Sequence, residues 1–401
     1  MLQAFFHAWE RRLASITKDR VVRPFEWGLD WVPVNGHRGD AAAIDAAQAI
    51  GDWVSHVMAD TDAFFTPPPT GDYTLQRSAD GDVLTFPSAL ETRHETNNTV
   101  YCRYFPAPLK GRPTRSRAAD VGQRFSGAVP SEVGRRFSGA VPTEVGHRFS
   151  GVVPTEVGRR FSGAGPTSKA AVLVLPQWNS DAGGHVGLCR LLAWNGLSAL
   201  RLSLPYHDQR MPPELHRADY IVSANVARTL QVCRQAVLDA RRAVAWLASQ
   251  GYDRIGILGT SLGSCLALLT TAHEPLIQVE ALNHISPDFA DVVWRGLSTR
   301  HVRESMDGHI ELDLLRTLWQ PISPRWYLDR LRDRQTLLVY ARYDLTFPVD
   351  LSEELVKAFR DQHIPHEVAV LRCGHYSTGK APFKFVDGWL LTRFLKKALL
   401  A

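Results

Sequence analysis

The sequence predicts an α/β fold in which a mostly parallel sheet is covered by helices on both faces. Two observations lead to this prediction. From residue 170 onward, short apolar runs of strand length alternate with longer segments that have helical spacing. Several of these strands are apolar at nearly every position, which is typical of strands buried on both faces. In sheets of this kind, reactive groups gather at the carboxyl ends of the strands.

The second half of the chain supplies most of the predicted elements. Strands are predicted at 170–175, 199–204, 254–258, 277–281, 336–340 and 367–371. Helices are predicted at 185–195, 224–250, 262–272, 351–360 and 385–399. The segment 287–333 interrupts the alternation and is rich in Trp, His and charged residues, so we expect a small cap there.

The first hundred residues differ from this pattern. Residues 1–70 read as a helical N-terminal extension, because large apolar residues recur at three- and four-residue spacing near the start and a second helix is predicted at 40–58. Residues 71–106 read as the first strands of the sheet, and the β-rich run 99–105 is the clearest of them.

A tandem repeat separates these strands from the rest of the chain, within a low-complexity segment at 107–168. The pattern Val-Gly-x-Arg-Phe-Ser-Gly begins every 12 residues, at Val121, Val133, Val145 and Val157. Each copy also carries a proline, which works against helix and sheet interiors. We expect a disordered insertion in a surface loop. The alternatives are a binding arm, whose Arg-Phe pairs could stack on bases, or a short repeated β-structure.

Charge and cysteine content exclude several classes of function. The formal net charge is +5, but residues 107–168 hold ten Lys/Arg against four Asp/Glu, which leaves the rest of the chain at −1. No nucleic-acid partner is therefore expected. Five scattered cysteines without a CxxC pair indicate neither disulfides nor a zinc site. We expect no membrane span, no signal peptide, no cofactor and no metal, and a cytoplasmic location. Oligomeric state stays open.

The motif that carries chemistry is Gly259-Thr260-Ser261-Leu262-Gly263. Gly-x-Ser-x-Gly fixes only three positions and is weak evidence alone, but here it follows an apolar strand directly and precedes an apolar helical run. A tight turn at this point exposes the hydroxyl of Ser261 at the edge of the sheet. There the N-terminus of the next helix favours developing negative charge. The sequence therefore predicts that Ser261 is a nucleophile.

A serine nucleophile needs a base and an orienting carboxylate, and in sites of this kind the chain order is serine, acid, histidine. Asp344 and His375 each follow a predicted strand, in that order. Asp288 is a rival acid, and Asp350 reads better as a helix N-cap. The histidines that compete with His375 are His284, His301, His309, His363 and His366.

Two loops at strand ends are expected to line the same pocket. The oxyanion needs two N–H donors; one is expected from the backbone of Leu262 and the other from Trp178 or Gln177. Trp178 could instead serve only as a hydrophobic wall. In the loop 205–213, Arg210 and His207 are candidates for binding substrate, while a bond between Asp208 and Arg210 would make the loop merely structural.

These motifs resemble the α/β-hydrolase superfamily over about 170–401 and the strands before the insertion, and the run from 239 to 261 looks like that of dienelactone-hydrolase-like and acyl-peptidase-like members. The resemblance implies hydrolysis of a small-molecule ester, thioester or amide through an acyl-enzyme. A carboxylic ester hydrolase is the leading hypothesis. The same residues could serve an acyltransferase, thioesterase or peptidase, and a non-catalytic binding protein is the remaining alternative. Pro176-Gln177-Trp178-Asn179 departs from the His-Gly-Gly motif of many esterases.

Overall fold

The structure, a computed structural model, describes residues 2–17, 19–33, 45–77, 81–108 and 169–401. Its centre is a nine-stranded sheet with the order β1-β2-β3-β5-β4-β6-β7-β8-β9. The strands are β1 Thr74–Gln76, β2 Asp82–Pro87, β3 Thr99–Phe105, β4 Ala170–Leu175, β5 Ser198–Leu202, β6 Arg254–Thr260, β7 Ile277–Asn283, β8 Gln335–Ala341 and β9 His366–Leu371. The first three strands are antiparallel to their neighbours, and the other six run parallel to one another. This confirms the predicted mostly parallel sheet.

Helices cover both faces of the sheet. They are α1 Leu2–Ala14, α2 Ala46–Ala59, α3 Thr61–Phe65, α4 Val186–Trp194, α5 Val226–Ser249, α6 Leu262–His273, α7 Phe289–Arg295, α8 Arg300–Met306, α9 Leu312–Leu318, α10 Val349–Asp361, α11 His375–Thr378 and α12 Phe383–Leu400. The long α5, predicted at 224–250, begins at Val226, where the side chain of the N-cap residue Asn225 accepts a hydrogen bond from the N–H of Arg228 at 2.9 Å. The predicted cap at 287–333 contains α7, α8 and α9.

Strand β4 shows why the sheet is apolar throughout. All six of its residues are buried. Ala171, Leu173 and Leu175 pack into the core on one face, and Ala170, Val172 and Val174 pack into the core on the other. Since successive side chains point to opposite faces, a strand between two layers of helices needs apolar residues at every position.

The described N-terminal helices pack on other helices of the protein: α1 lies against α11, α2 against α9, and α3 against α5. Ile50 of α2 and Phe65 of α3 are completely buried in the same core as α5 and α6. The described residues up to 108 and from 169 to 401 accordingly belong to one compact unit. The helix predicted at 40–58 begins at Ala46, after the Asp45 side chain that accepts from the N–H of Ala47. Residues 19–33 contain only a 3₁₀ turn at Leu29–Trp31, so the prediction of helix throughout 1–70 was too broad.

Some expectations lie outside the described residues, notably the repeat at 121–166. Among the described residues, no helix is long and apolar enough to cross a membrane. All five cysteines are free and buried.

Candidate active site

Ser261 lies in the sharp turn between β6 and α6. Its backbone has φ 57° and ψ −121°, a left-handed φ that costs a non-glycine residue about 1–3 kcal/mol. The turn is held by a hydrogen bond from the Ser261 N–H to the carbonyl oxygen of Asn283, at 2.7 Å. The serine therefore sits at the carboxyl end of the central strand in a strained position that the neighbouring strand enforces.

The two glycines of the motif permit this turn for steric reasons. A Cβ on Gly259 would lie 2.1 Å from the carbonyl oxygen of Gly263. A Cβ on Gly263 would lie 2.2 Å from the carbonyl oxygen of Leu175, at the end of β4. Any side chain at either position would push the strand and helix apart, so the motif is a packing requirement of the turn.

Asp344 follows β8 and is buried with all four of its hydrogen-bonding positions in use. Oδ1 accepts the N–H groups of Thr346 and Phe347, both at 2.7 Å. Oδ2 accepts Nδ1–H of His375 at 2.9 Å and Nδ1–H of His284 at 2.8 Å. The carboxylate is thus fixed in orientation, and it fixes the same tautomer in both histidines, with a lone pair on each Nε2.

His284 is a site residue that the sequence presented only as a competitor of His375. It follows β7 with a left-handed φ of 58°, and its side chain is buried. Its carbonyl oxygen accepts the hydroxyl of Ser264 at 2.6 Å, and that hydroxyl lies 2.7 Å from the carbonyl of Ser261. Its place at the end of a parallel strand was a usable signal, because carboxyl ends of adjacent strands meet.

Electrostatics shift the pKa values of Asp344 and His375 in opposite directions. Burial disfavours ionisation of Asp344, but the adjacent His375 and His284 outweigh it and hold the pKa of the carboxyl below its ordinary value. Burial likewise opposes a charge on His375, but Asp344 outweighs it and raises the pKa of the imidazole. His375 is therefore a stronger base than a free imidazole.

The same three side chains are the ones whose donor atoms could hold a metal ion in the described part of the chain, since these atoms lie within 4.8 Å of one another. Both Nδ1 atoms already donate to Asp344 Oδ2. An ion bound there would have to replace these hydrogen bonds. The bonds account for the cluster without a metal.

The loop after β4 carries the predicted oxyanion donors. Gln177 and Trp178 line the cleft that also contains Ser261. The ring Nε1 of Trp178 donates to the carbonyl of Ala218 at 2.8 Å, and the ring stacks on His301. This side chain therefore does form a wall, while the backbone N–H groups of 177 and 178 have no hydrogen-bond acceptor among the described residues. The N–H of Leu262 opens α6 and has no partner within that helix.

His207 supports this loop and does not contact substrate space. Its ring is buried and lies between two backbone groups: Nδ1 donates to the carbonyl of Pro205 at 2.9 Å, and Nε2 accepts the N–H of Asn179 at 3.0 Å. Burial lowers the pKa of His207 to about 4, so the ring is neutral, as these two contacts require. The predicted substrate role of His207 is corrected to a structural one.

Arg210 is corrected in the same way. Its side chain is 0% exposed and forms an ion pair with Asp239 at 2.8 Å. It also donates to the carbonyl oxygens of Asn97 and Ser203. Asp208, the predicted structural partner, binds Arg201 instead. A guanidinium with this set of buried partners cannot reach a substrate.

The other acids and histidines considered for the triad have different partners. Asp288 binds Arg325, and Asp350 pairs with Arg295 in the first turn of α10 and does not cap it, because the N-cap is Pro348. Of the competing histidines, His301 stacks on Trp178, His309 stacks on Phe25, His366 binds the carbonyl of Ile364, and His363 takes a left-handed turn. Among the described residues, the side chain of Asp344 accepts hydrogen bonds from the rings of His284 and His375 and from two backbone N–H groups.

Two spaces meet at Ser261. A wider cleft is lined by His375, His284, Asn283 and Asp387. A small apolar pocket of about 40 Å³ lies next to Ser261, and His375 does not line it. Trp178 borders both spaces. The apolar walls of the small pocket include Val222, Leu262, Cys265, Phe289, Val293 and Phe347.

Helix α1 contacts the segment after His375 through the side chain of Glu10. This buried carboxylate accepts the N–H groups of Tyr376 and Ser377, at 2.8 and 2.9 Å. A Cβ on Gly374 would lie 2.4 Å from the Glu10 carboxyl carbon, so the glycine before His375 is required by this contact. One turn earlier in the helix, Phe6 stacks on Tyr343 with ring centroids 4.6 Å apart. Sequence reasoning missed Glu10, since nothing local in α1 indicates a partner more than 350 residues away.

The sheet order, the strained serine after the central strand and the helices on both faces give this chain the α/β-hydrolase fold. No protein-family model matches the chain, and no curated protein matches its sequence. Solved structures do match.

Three of these matches illustrate the likeness. The acylaminoacyl peptidase of Pyrococcus horikoshii superposes with a TM-score of 0.52 at 10% identity, covering 82% of this chain and 42% of the peptidase, so the match spans less than half of that protein. Acetyl xylan esterase 1 of a Thermoanaerobacterium species gives 0.52 at 12% identity, covering 88% of this chain and 94% of the esterase. An acetyl xylan esterase of a Paenibacillus species gives 0.53 at 13% identity, with 97% and 99% covered. At these identities the likeness concerns the fold.

Proposed function

We propose that this protein is a serine hydrolase that cleaves carboxylic esters through an acyl-enzyme, with Ser261 as nucleophile, His375 as base and Asp344 as the orienting acid. The observation that carries the proposal is the hydrogen bond between Asp344 Oδ2 and Nδ1 of His375, in a cleft that the strained Ser261 also lines. A buried carboxylate that fixes the imidazole tautomer leaves Nε2 free to take the serine proton.

In the acylation step, Oγ of Ser261 forms a bond to the ester carbonyl carbon while its proton passes to Nε2 of His375. Charge collects on the carbonyl oxygen, for which the N–H groups of Leu262 and of Trp178 or Gln177 are the proposed donors. The tetrahedral intermediate then collapses. The bond from carbon to the leaving oxygen breaks, and His375 gives its proton to that oxygen.

Deacylation repeats these transfers with water. His375 removes a proton from the water as its oxygen bonds to the acyl carbon, and the bond to Ser261 Oγ then breaks. The proton returns to Oγ, which regenerates the serine and releases the acid. Asp344 stays ionised throughout and stabilises the imidazolium that forms twice in each cycle.

Covalent labelling tests this proposal. A fluorophosphonate probe is expected to modify Ser261, located by peptide mass spectrometry, and Ser261→Ala is expected to lose both labelling and ester turnover. Ser298→Ala is the matched control, since Ser298 borders both spaces but lies outside the turn. Absence of labelling in the folded wild-type protein, or equal labelling of Ser261→Ala, would refute the proposal.

A further inference from the structure

A second polar cluster lies in the wider cleft beside the proposed triad. Asn283 Nδ2 donates to Asp387 Oδ2 at 3.0 Å, which joins the end of β7 to α12. The remaining oxygens of both side chains, Asn283 Oδ1 and Asp387 Oδ1, are buried and have no hydrogen-bond partner among the described residues. Both residues line the cleft that contains Ser261.

These free atoms all accept hydrogen bonds. Burial raises the pKa of Asp387 to about 6, so above neutral pH its carboxylate is ionised and offers only lone pairs. Nδ1 of His284 donates to Asp344, which leaves Nε2 as the ring nitrogen that can accept a hydrogen bond. Buried acceptors without donors are costly, and they indicate where a donor-bearing group would bind.

The position of His375 decides which part of a substrate would meet this cluster. His375 must deliver a proton to the leaving oxygen, so the leaving group has to lie on its side of Ser261. His375, Asn283, His284 and Asp387 all line the wider cleft, and none of the four lines the small apolar pocket. This arrangement assigns the acyl chain to the small pocket and the alcohol to the side of the acceptors.

We propose that Asn283, His284 and Asp387 form a leaving-group subsite that binds the free hydroxyl groups of a polyhydroxy alcohol, such as a polyol or a sugar, esterified at a neighbouring hydroxyl. The inference rests on the proposed ester hydrolysis. The excess of basic side chains in the cleft favours a substrate with neutral hydroxyl donors over one with an ammonium group. Asp387 is the one acidic side chain among the described residues that line this cleft, whereas the basic side chains that line it are those of Arg20, Arg217, Lys384, Arg393, Lys396 and Lys397.

Esters that share an acetyl group and differ in the alcohol test the proposal. At pH 8, kcat/KM is compared for 1-glyceryl acetate, for n-propyl acetate, which has the same three-carbon skeleton without hydroxyls, and for acetylcholine. The wild type is expected to prefer glyceryl acetate over propyl acetate by about tenfold or more, as two hydrogen bonds imply. Asp387→Asn and Asn283→Leu are each expected to lower that ratio about five- to tenfold.

Lys396→Gln is the control, because Lys396 lines the same cleft but binds Asn195 at the surface. It is expected to leave the ratio unchanged. A ratio near one in the wild type, or a ratio that Asp387→Asn and Asn283→Leu do not change, would overturn the subsite while Ser261 labelling and propyl acetate turnover still support ester hydrolysis. Preference for acetylcholine would overturn the choice of hydroxyl donors. Failure of Ser261 labelling would refute the hydrolase proposal itself.

Discussion

Nδ1 of His284 lies 2.8 Å from Oδ2 of Asp344, the same carboxylate oxygen that accepts Nδ1–H of His375 at 2.9 Å. The two rings lie with centroids 4.3 Å apart. One buried oxygen thus accepts hydrogen bonds from two histidines, which follow two different strands. Its negative charge is shared, so each donor weakens the pull of Asp344 on the other.

Removing His284 is therefore expected to make His375 more basic. In His284→Leu, Asp344 interacts with His375 alone, and the acid limb of the kcat/KM profile is expected to move to higher pH. His284→Asn keeps a donor near the position of Nδ1 and tolerates the left-handed φ, so it is expected to restore the wild-type profile. Superimposable profiles of His284→Leu and wild type would show that His284 is only structural.

The pH dependence of the wild type follows from His375. Since Asp344 raises the pKa of His375, the base becomes protonated, and activity is lost, as pH falls through a value above about 6.5. Asp344→Asn removes this effect and the tautomer control. We expect kcat to fall about 10⁴-fold and any residual acid limb to move to lower pH. Esterase assays from pH 5 to pH 9 measure both, and an unchanged limb in Asp344→Asn would contradict the assignment of the acid.

Glu10 is expected to act as a positioning residue for His375. Glu10→Gln replaces one acceptor oxygen by an NH₂ group that faces a backbone N–H, so the segment after His375 loses its anchor. We expect kcat to fall about tenfold with little change in KM, and unfolding free energy to fall by about 1–3 kcal/mol. Arg11→Gln, on the exposed side of the same helix, is the control. A loss of stability without a change in kcat would limit Glu10 to a structural role.

The volume of the small pocket predicts that the preferred substrate has a short acyl chain. A cavity of about 150 Å³ binds benzene, so we expect the pocket of about 40 Å³ beside Ser261 to take only about two carbons. We expect kcat/KM for p-nitrophenyl esters to be highest for acetate or propionate and to fall by octanoate.

Phe289 forms one wall of this pocket, so Phe289→Ala is expected to shift the optimum to longer chains. Phe385→Ala alters an exposed phenylalanine in the wider cleft and is the control for loss of an aromatic ring. If octanoate were preferred by the wild type, the acyl chain would have to bind elsewhere.

Much of the site could be predicted from sequence because its parts follow strand ends. Ser261, Asp344 and His375 each come after an apolar run, and parallel strands bring their carboxyl ends to one edge. The errors fell where partners are remote in the chain. Arg210 and His207 are residue types that often bind substrates. Both are buried here, and Arg210 binds Asp239 while His207 accepts the N–H of Asn179. Residue type alone cannot distinguish a buried ion pair from an exposed contact.

The sequence by itself determined the alternation of strands and helices, the steric need for Gly259 and Gly263, and the order of the three proposed triad residues, because these depend on local periodicity and short turns. Only the tertiary structure decided that Asp344 holds two histidines and that Glu10 anchors the segment after His375. It also decided that Asn283 and Asp387 line the cleft and that each keeps a buried oxygen without a hydrogen-bond partner among the described residues. These contacts join residues between about 30 and 370 positions apart. Their geometry depends on how the sheet and its helices pack, which local patterns do not encode.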